Sequence, residues 1–183
     1  MKSLVLVLTL VASGIAAEPS TKATTPAIPA KADAPSGAVL DIALTIPAPL
    51  PEVWHAFTTS EGLMTWLTPS ATVDLRPGGD WLCHFPGGST GGGTILSFIP
   101  QEQLVISALA PDKFPNVRAH RTTAKFSFKA EGNATSVRLT QTGWQQGEEW
   151  NKAYEYLAAG NAQLLAMLHH RFVSGPTDWS KMN

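Results

Sequence analysis

The sequence predicts an α+β domain: a curved antiparallel sheet of about six to seven strands wrapped around one long C-terminal helix. Three observations predict it. Residues 148–172 contain no proline and repeat apolar side chains at helical spacing, from Trp150, Ala153, Tyr154, Leu157 and Ala158 through Leu164, Leu165, Leu168 and Phe172. Residues 71–142 break into short alternating runs separated by turn residues. Two short helical segments, residues 52–57 and 61–67, stand between a first strand and that region. A sheet of this length curls on its own twist, and a helix with a broad apolar stripe can close over its concave side.

Each element has its own signal. Residues 1–17, MKSLVLVLTLVASGIAA, have the form of an export signal, with Lys2, an apolar run from Leu4 to Val11, and the small Ala16 and Ala17 before a cleavage point. The run is shorter than the ~20 residues of a membrane span, so no stable insertion is expected once it is cleaved. A retained anchor is the alternative. The protein is therefore expected to be exported, periplasmic or secreted. Residues 18–37 hold four prolines among Ala, Thr, Ser and Lys and read as a flexible linker. The domain itself is expected over residues 38–175, with a tail at 176–183.

Residues 38–46, AVLDIALTI, alternate and form a first strand. Pro51 suits the first turn of a helix, and Thr59 or Ser60 can cap the next one. Strands are then expected at 71–75, 80–85, 94–99, 103–109, 121–129 and 135–142. Trp81, Cys83 and Phe85 share one face, and Thr122, Ala124, Phe126 and Phe128 share another. Residues 86–93, PGGSTGGG, lack the Lys-Ser/Thr ending and following helix of a phosphate cradle, so they read as a flexible hairpin loop. In the long helix, Glu148 and Glu149 start and His169, His170 and Arg171 finish, which complements the helix dipole.

Several function classes lack support. Thirteen basic and 14 acidic residues nearly balance, without a basic stripe for nucleic acid or an anionic membrane. One cysteine, Cys83, allows no internal disulfide, and its place in an apolar strand pattern marks it as buried and inert. His169 and His170 are adjacent and point apart, and His55, His84 and His120 are scattered, so no metal site is expected. Asp74, Asp80, Glu148 and Glu149 are explained by turns and a helix start, and no catalytic residue is assigned.

The order and spacing of several pieces resemble a known family. Pro51-Glu52-Val53-Trp54 opens the first short helix and Trp66 closes the second. Gly78-Gly79-Asp80-Trp81 opens a strand, and Gly93-Thr94-Ile95-Leu96 and Pro100-Gln101-Glu102-Gln103-Leu104 join two later ones. Thr135 to Leu139, then Gly143-Trp144 and the long helix, complete a pattern that spans nearly all of residues 40–172. It resembles the helix-grip fold of the SRPBCC superfamily (the START and birch-pollen-allergen type), in the branch named after the activator of the heat-shock-protein-90 ATPase. The glycine-rich turn at 87–93 and the export signal depart from that branch.

The resemblance implies a cavity between sheet and long helix for a hydrophobic or amphipathic small molecule, with no cofactor and no shared catalytic residue. The aromatic walls expected for it are Trp66, Trp81, Phe85, Phe126 and Phe128, with Trp144, Trp150, Tyr154 and Leu157 at the helix side. Each has plain core packing as its alternative. Asn161 is polar on the apolar helix face, where its amide must find hydrogen bonds. With Gln141 or Tyr154 it is a candidate for the polar end of a ligand. Two rival readings remain: a co-chaperone-like protein-binding module, from the branch's name, and a cyclase- or hydrolase-like enzyme using cavity polar groups.

Overall fold

The computed structural model describes residues 37–182. The expected export signal and most of the expected linker lie outside the described residues. β1 (Leu40–Ile46) leads into α1 (Leu50–Thr58) and α2 (Ser60–Met64). β2 (Ser70–Val73), β3 (Asp80–His84), β4 (Thr90–Ile99) and β5 (Gln103–Leu109) follow, then a short helix α3 (Pro115–His120). β6 (Thr122–Glu131), β7 (Ala134–Thr142) and α4 (Glu148–Ser174) come next, and a 3-10 turn at Trp179–Met182 ends the order. The strands form one antiparallel sheet, β1-β7-β6-β5-β4-β3-β2. Every neighbouring pair is consecutive in the chain except β1 with β7, which ties the two ends of the domain together.

Register puts the core together row by row. Ile95, Ile106, Ala124, Gln141 and Leu40 stand side by side across five strands, and all five are buried. The next row runs Leu104, Phe126, Leu139 and Ile42. Because side chains alternate with period two, both rows are buried, and apolar apart from Gln141, while the intervening positions, such as Lys125 and Arg138, are exposed. Helix α4 turns Trp150, Ala153, Ala158, Ala162, Leu165 and Leu168 inward. Alanines in its middle let the helix backbone come close, and the fully buried Leu165 and Leu168 each add about 1.5–3 kcal/mol of burial.

A cluster of aromatic rings fills the end of the core beneath α1. Phe57 is fully buried and lies 4.6 Å from Phe126, 5.4 Å from Phe128 and 5.5 Å from both Trp66 and Trp81, ring centre to ring centre. The indoles also complete the helix end. Trp66 Nε1 donates to Ala56 O at 2.9 Å and Trp81 Nε1 to Phe57 O at 2.8 Å. Thr59 Oγ1 donates to His55 O at 2.9 Å. Three of the last carbonyls of α1, which no further helical turn could satisfy, thus receive side-chain donors. Thr59 also accepts from Gly62 N and so caps α2.

Four details differ from the sequence expectation. Helix α2 ends at Met64 rather than reaching residue 67. Helix α3 occupies a stretch where no element was expected; its six residues are too few to show a period. The glycine run is only partly a loop: the turn closes with Phe85 N donating to Ser89 O, and Gly91, Gly92 and Gly93 already belong to β4. Backbone pairing needs no side chain, so a glycine-rich stretch can be strand where partners on both sides hold it. The residues after α4 are docked rather than trailing, since Thr177 N donates to Thr65 O and Trp179 Nε1 to Met64 O.

Candidate functional site

A cavity of about 590 Å³ lies between strands β3 to β7 of the sheet and the middle of α4. Its volume arises from missing side chains. Gly91, Gly92, Ala108 and Ala124 pave the sheet side. A methyl group on Gly91 would meet only the Phe85 ring at 3.3 Å, whereas one on Gly92 would lie 2.0 Å from Trp81 O. Trp81, Ile106 and Phe126 form walls from the strands, and Leu157 and Leu164 from the helix. Leu157, Asn161 and Leu164 are spaced four and three residues apart, so they share one stripe of α4 beside the sealed stripe of Ala158, Ala162 and Leu165.

The inner end of the cavity carries one polar chain. Asn161 Nδ2 donates to Gln141 Oε1 at 2.8 Å, and Gln141 Nε2 donates to Thr122 Oγ1 at 2.7 Å. Gln141 follows Val137 and Leu139 in the inward alternation of β7, which buries its amide. Asn161 Oδ1 has no hydrogen-bond partner among the described residues. The Thr122 hydroxyl both donates and accepts, so the chain can run in either sense and Asn161 can offer an acceptor or, reversed, a donor.

The rim is built from exposed and half-buried residues of two segments. Phe85, Ser89 and Thr90 come from the β3–β4 hairpin, and Pro111, Asp112 and Lys113 from the β5–α3 connection, facing Tyr156 on α4. Asp112 pairs with Arg118 at 3.1 Å. Lys113 Nζ stands 3.3 Å from the centre of the Tyr156 ring. Burial pushes the Cys83 thiol up to about 12, so it stays protonated and unreactive at neutral pH. Among the described residues no three of His, Cys, Asp and Glu gather to hold a metal ion. No described helix is long and apolar enough to cross a membrane.

Of the residues expected to line a cavity, Trp81, Phe85, Phe126, Gln141, Leu157 and Asn161 come together here. Phe85 sits at the rim, 37% exposed, because β3 ends before it. Five others are placed in packing instead. Trp66 and Phe128 belong to the aromatic cluster around Phe57. Trp144 packs edge-on against Trp150 at 6.5 Å and Tyr154 at 5.0 Å near the start of α4, with its Nε1 donating to Gln141 O. Sequence reading passed over Tyr156 and Lys113, which lie on polar stretches, and over Gly91, Ala108 and Ala124. The signal for those three was their small size at inward strand positions.

The family described as "Activator of Hsp90 ATPase homolog 1-like protein" matches residues 47–172, more than half of the chain. The chain belongs to that family. The fold agrees with the SRPBCC superfamily and its helix-grip architecture. The Aha1 dimer from Colwellia psychrerythraea is 20% identical, with a TM-score of 0.62 over 75% of this chain and 98% of that one. CalU16 from Micromonospora echinospora is 23% identical, with a TM-score of 0.56 over 80% of each chain. DynU16, a protein of the dynemicin biosynthetic locus, is 15% identical, with a TM-score of 0.60 over 75% of this chain and 48% of its own. At these identities the likeness is one of fold. No curated protein matches the sequence.

Proposed function

We propose that this family member binds a hydrophobic or amphipathic small molecule in the cavity between sheet and α4. The observation that carries the reading is an apolar space of about 590 Å³ with a single built polar chain at its inner end. Small-molecule sites combine that range of volume with few, placed polar groups. Trp81, Ile106, Phe126, Leu157 and Leu164 would surround the apolar body, and Asn161 would meet a hydroxyl, carbonyl or amine. The titratable lining groups, Asp112, Lys113 and Tyr156, all belong to the exposed rim, and the inner polar groups are amides and a hydroxyl that do not ionise near neutral pH. This favours binding over acid–base turnover. Lys2 and the apolar run after it support the further reading that the ligand is met outside the cytoplasm.

The test is native mass spectrometry of the protein purified from its own host, with organic extraction, beside the variant Gly91→Val. Gly91 has no left-handed φ, and its added side chain would enter the cavity against a rim ring rather than backbone. A stoichiometric lipid, quinone or aromatic acid is expected with the wild type and is expected to be absent from Gly91→Val at an unchanged melting temperature. A ligand retained equally by the variant would place binding elsewhere. A protein that is empty in every preparation would favour the protein-binding reading carried by the family's name.

A further inference from the structure

We infer that the cavity selects an anionic amphiphile, with its acidic group held at the rim by Lys113 and its apolar body inside. This rests on the cavity being the binding site proposed above. Among the described residues only two charged side chains line the cavity, Asp112 and Lys113, and they are not equivalent. Asp112 is engaged by Arg118, which also donates to Ala110 O. Lys113 has no carboxylate within ion-pair distance among the described residues. Its ammonium instead rests 3.3 Å from the centre of the Tyr156 ring and 5.2 Å from that of Phe114. Two aromatic faces hold a cation in place through their quadrupoles without cancelling its charge. With Asp112 offset by Arg118, the rim presents one uncompensated positive charge, seated across the opening.

The spacing of the polar groups limits the ligand further. Tyr156 and Asn161 are five residues apart on α4, a rise of about 7.5 Å along the helix. A fitting molecule therefore has an acid at one end and an uncharged hydrogen-bonding group at the other, with apolar surface between. A hydroxylated or carbonyl-bearing aromatic or aliphatic acid has this form.

A matched pair of fluorescent probes tests the inference: 8-anilino-1-naphthalenesulfonate, and N-phenyl-1-naphthylamine, which shares its rings but lacks the sulfonate. The wild type is expected to bind the sulfonate more tightly. Lys113→Met, which keeps an apolar stem over Tyr156, is expected to weaken the sulfonate about fivefold and leave the neutral amine unchanged. Raising salt to about 0.5 M is expected to act on the sulfonate alone. Equal effects of Lys113→Met on both probes, or on neither, would overturn the anionic selectivity while leaving the cavity as the site. Failure of both probes to bind the wild type, or full binding of both by Gly91→Val, would overturn the cavity reading as well.

Discussion

Gln101 holds a left-handed φ of 61° in the turn between β4 and β5. Pro100 precedes it, and Glu102 N donates to Ile99 O at 3.0 Å, so the turn is of the kind that places proline second and a positive φ third. An L side chain at that third position crowds its own carbonyl, whereas glycine does not. Gln101→Gly is therefore expected to raise stability by about 1 kcal/mol, read as a higher midpoint in urea at unchanged slope. Asn161 illustrates the same scale from the ligand's side. One amide at a helical position that should be apolar was visible in the sequence, but its partner across 20 residues was one of two candidates until β7 set Gln141 beside it.

Between elements, Glu149 joins α4 to α3. Its carboxylate accepts from Asn116 N at 2.8 Å and Val117 N at 3.2 Å through Oε1, and from Asn116 Nδ2 at 2.6 Å through Oε2. Burial pushes its pKa up, but these hydrogen bonds outweigh that and leave it below the usual value. Since the folded state favours the ionised form, the contribution is complete above the unfolded pKa of about 4.3 and is lost as pH falls through the lower folded value. Amide protection at Asn116 and Val117 is thus expected to drop below about pH 4 before that of the core strands, as read by hydrogen exchange. Glu149→Ala is expected to show the same loosening at neutral pH. Because α3 directly follows Pro111, Asp112 and Lys113, this junction also steadies one side of the cavity rim.

At the scale of the molecule, the aromatic cluster and the cavity divide the space under the sheet. Phe57 touches four aromatic rings and has no exposed surface, so Phe57→Ala would leave a void that its rigid neighbours cannot fill. A loss of about 3–5 kcal/mol is expected in denaturant unfolding. Phe85→Ala, at the rim, is expected to cost far less, since its ring is already in contact with water. Trp81 and Phe126 belong to both regions, packing on Phe57 on one side and walling the cavity on the other. A cavity beside such a cluster persists because the rings around Phe57 are locked by their own packing and by indole hydrogen bonds to the end of α1.

By itself, the sequence determined the long helix, the strands and their order, and the face each turns inward, though not the short α3. Period-two alternation at Val137, Leu139 and Gln141 and helical spacing from Trp150 to Leu168 are local properties, and a local period is enough to define a face. What only the tertiary structure decided was which inward residues meet a void and which meet one another. Trp66, Trp81, Phe128 and Trp144 are alike in sequence terms, yet only Trp81 reaches the cavity. The difference comes from strand register, which staggers Gly91, Ala108 and Ala124 in successive inward rows on three neighbouring strands and leaves space where larger side chains would have closed it. The rim followed the same rule: Lys113 and Tyr156 are ordinary polar-surface residues until the β5–α3 connection folds back onto α4.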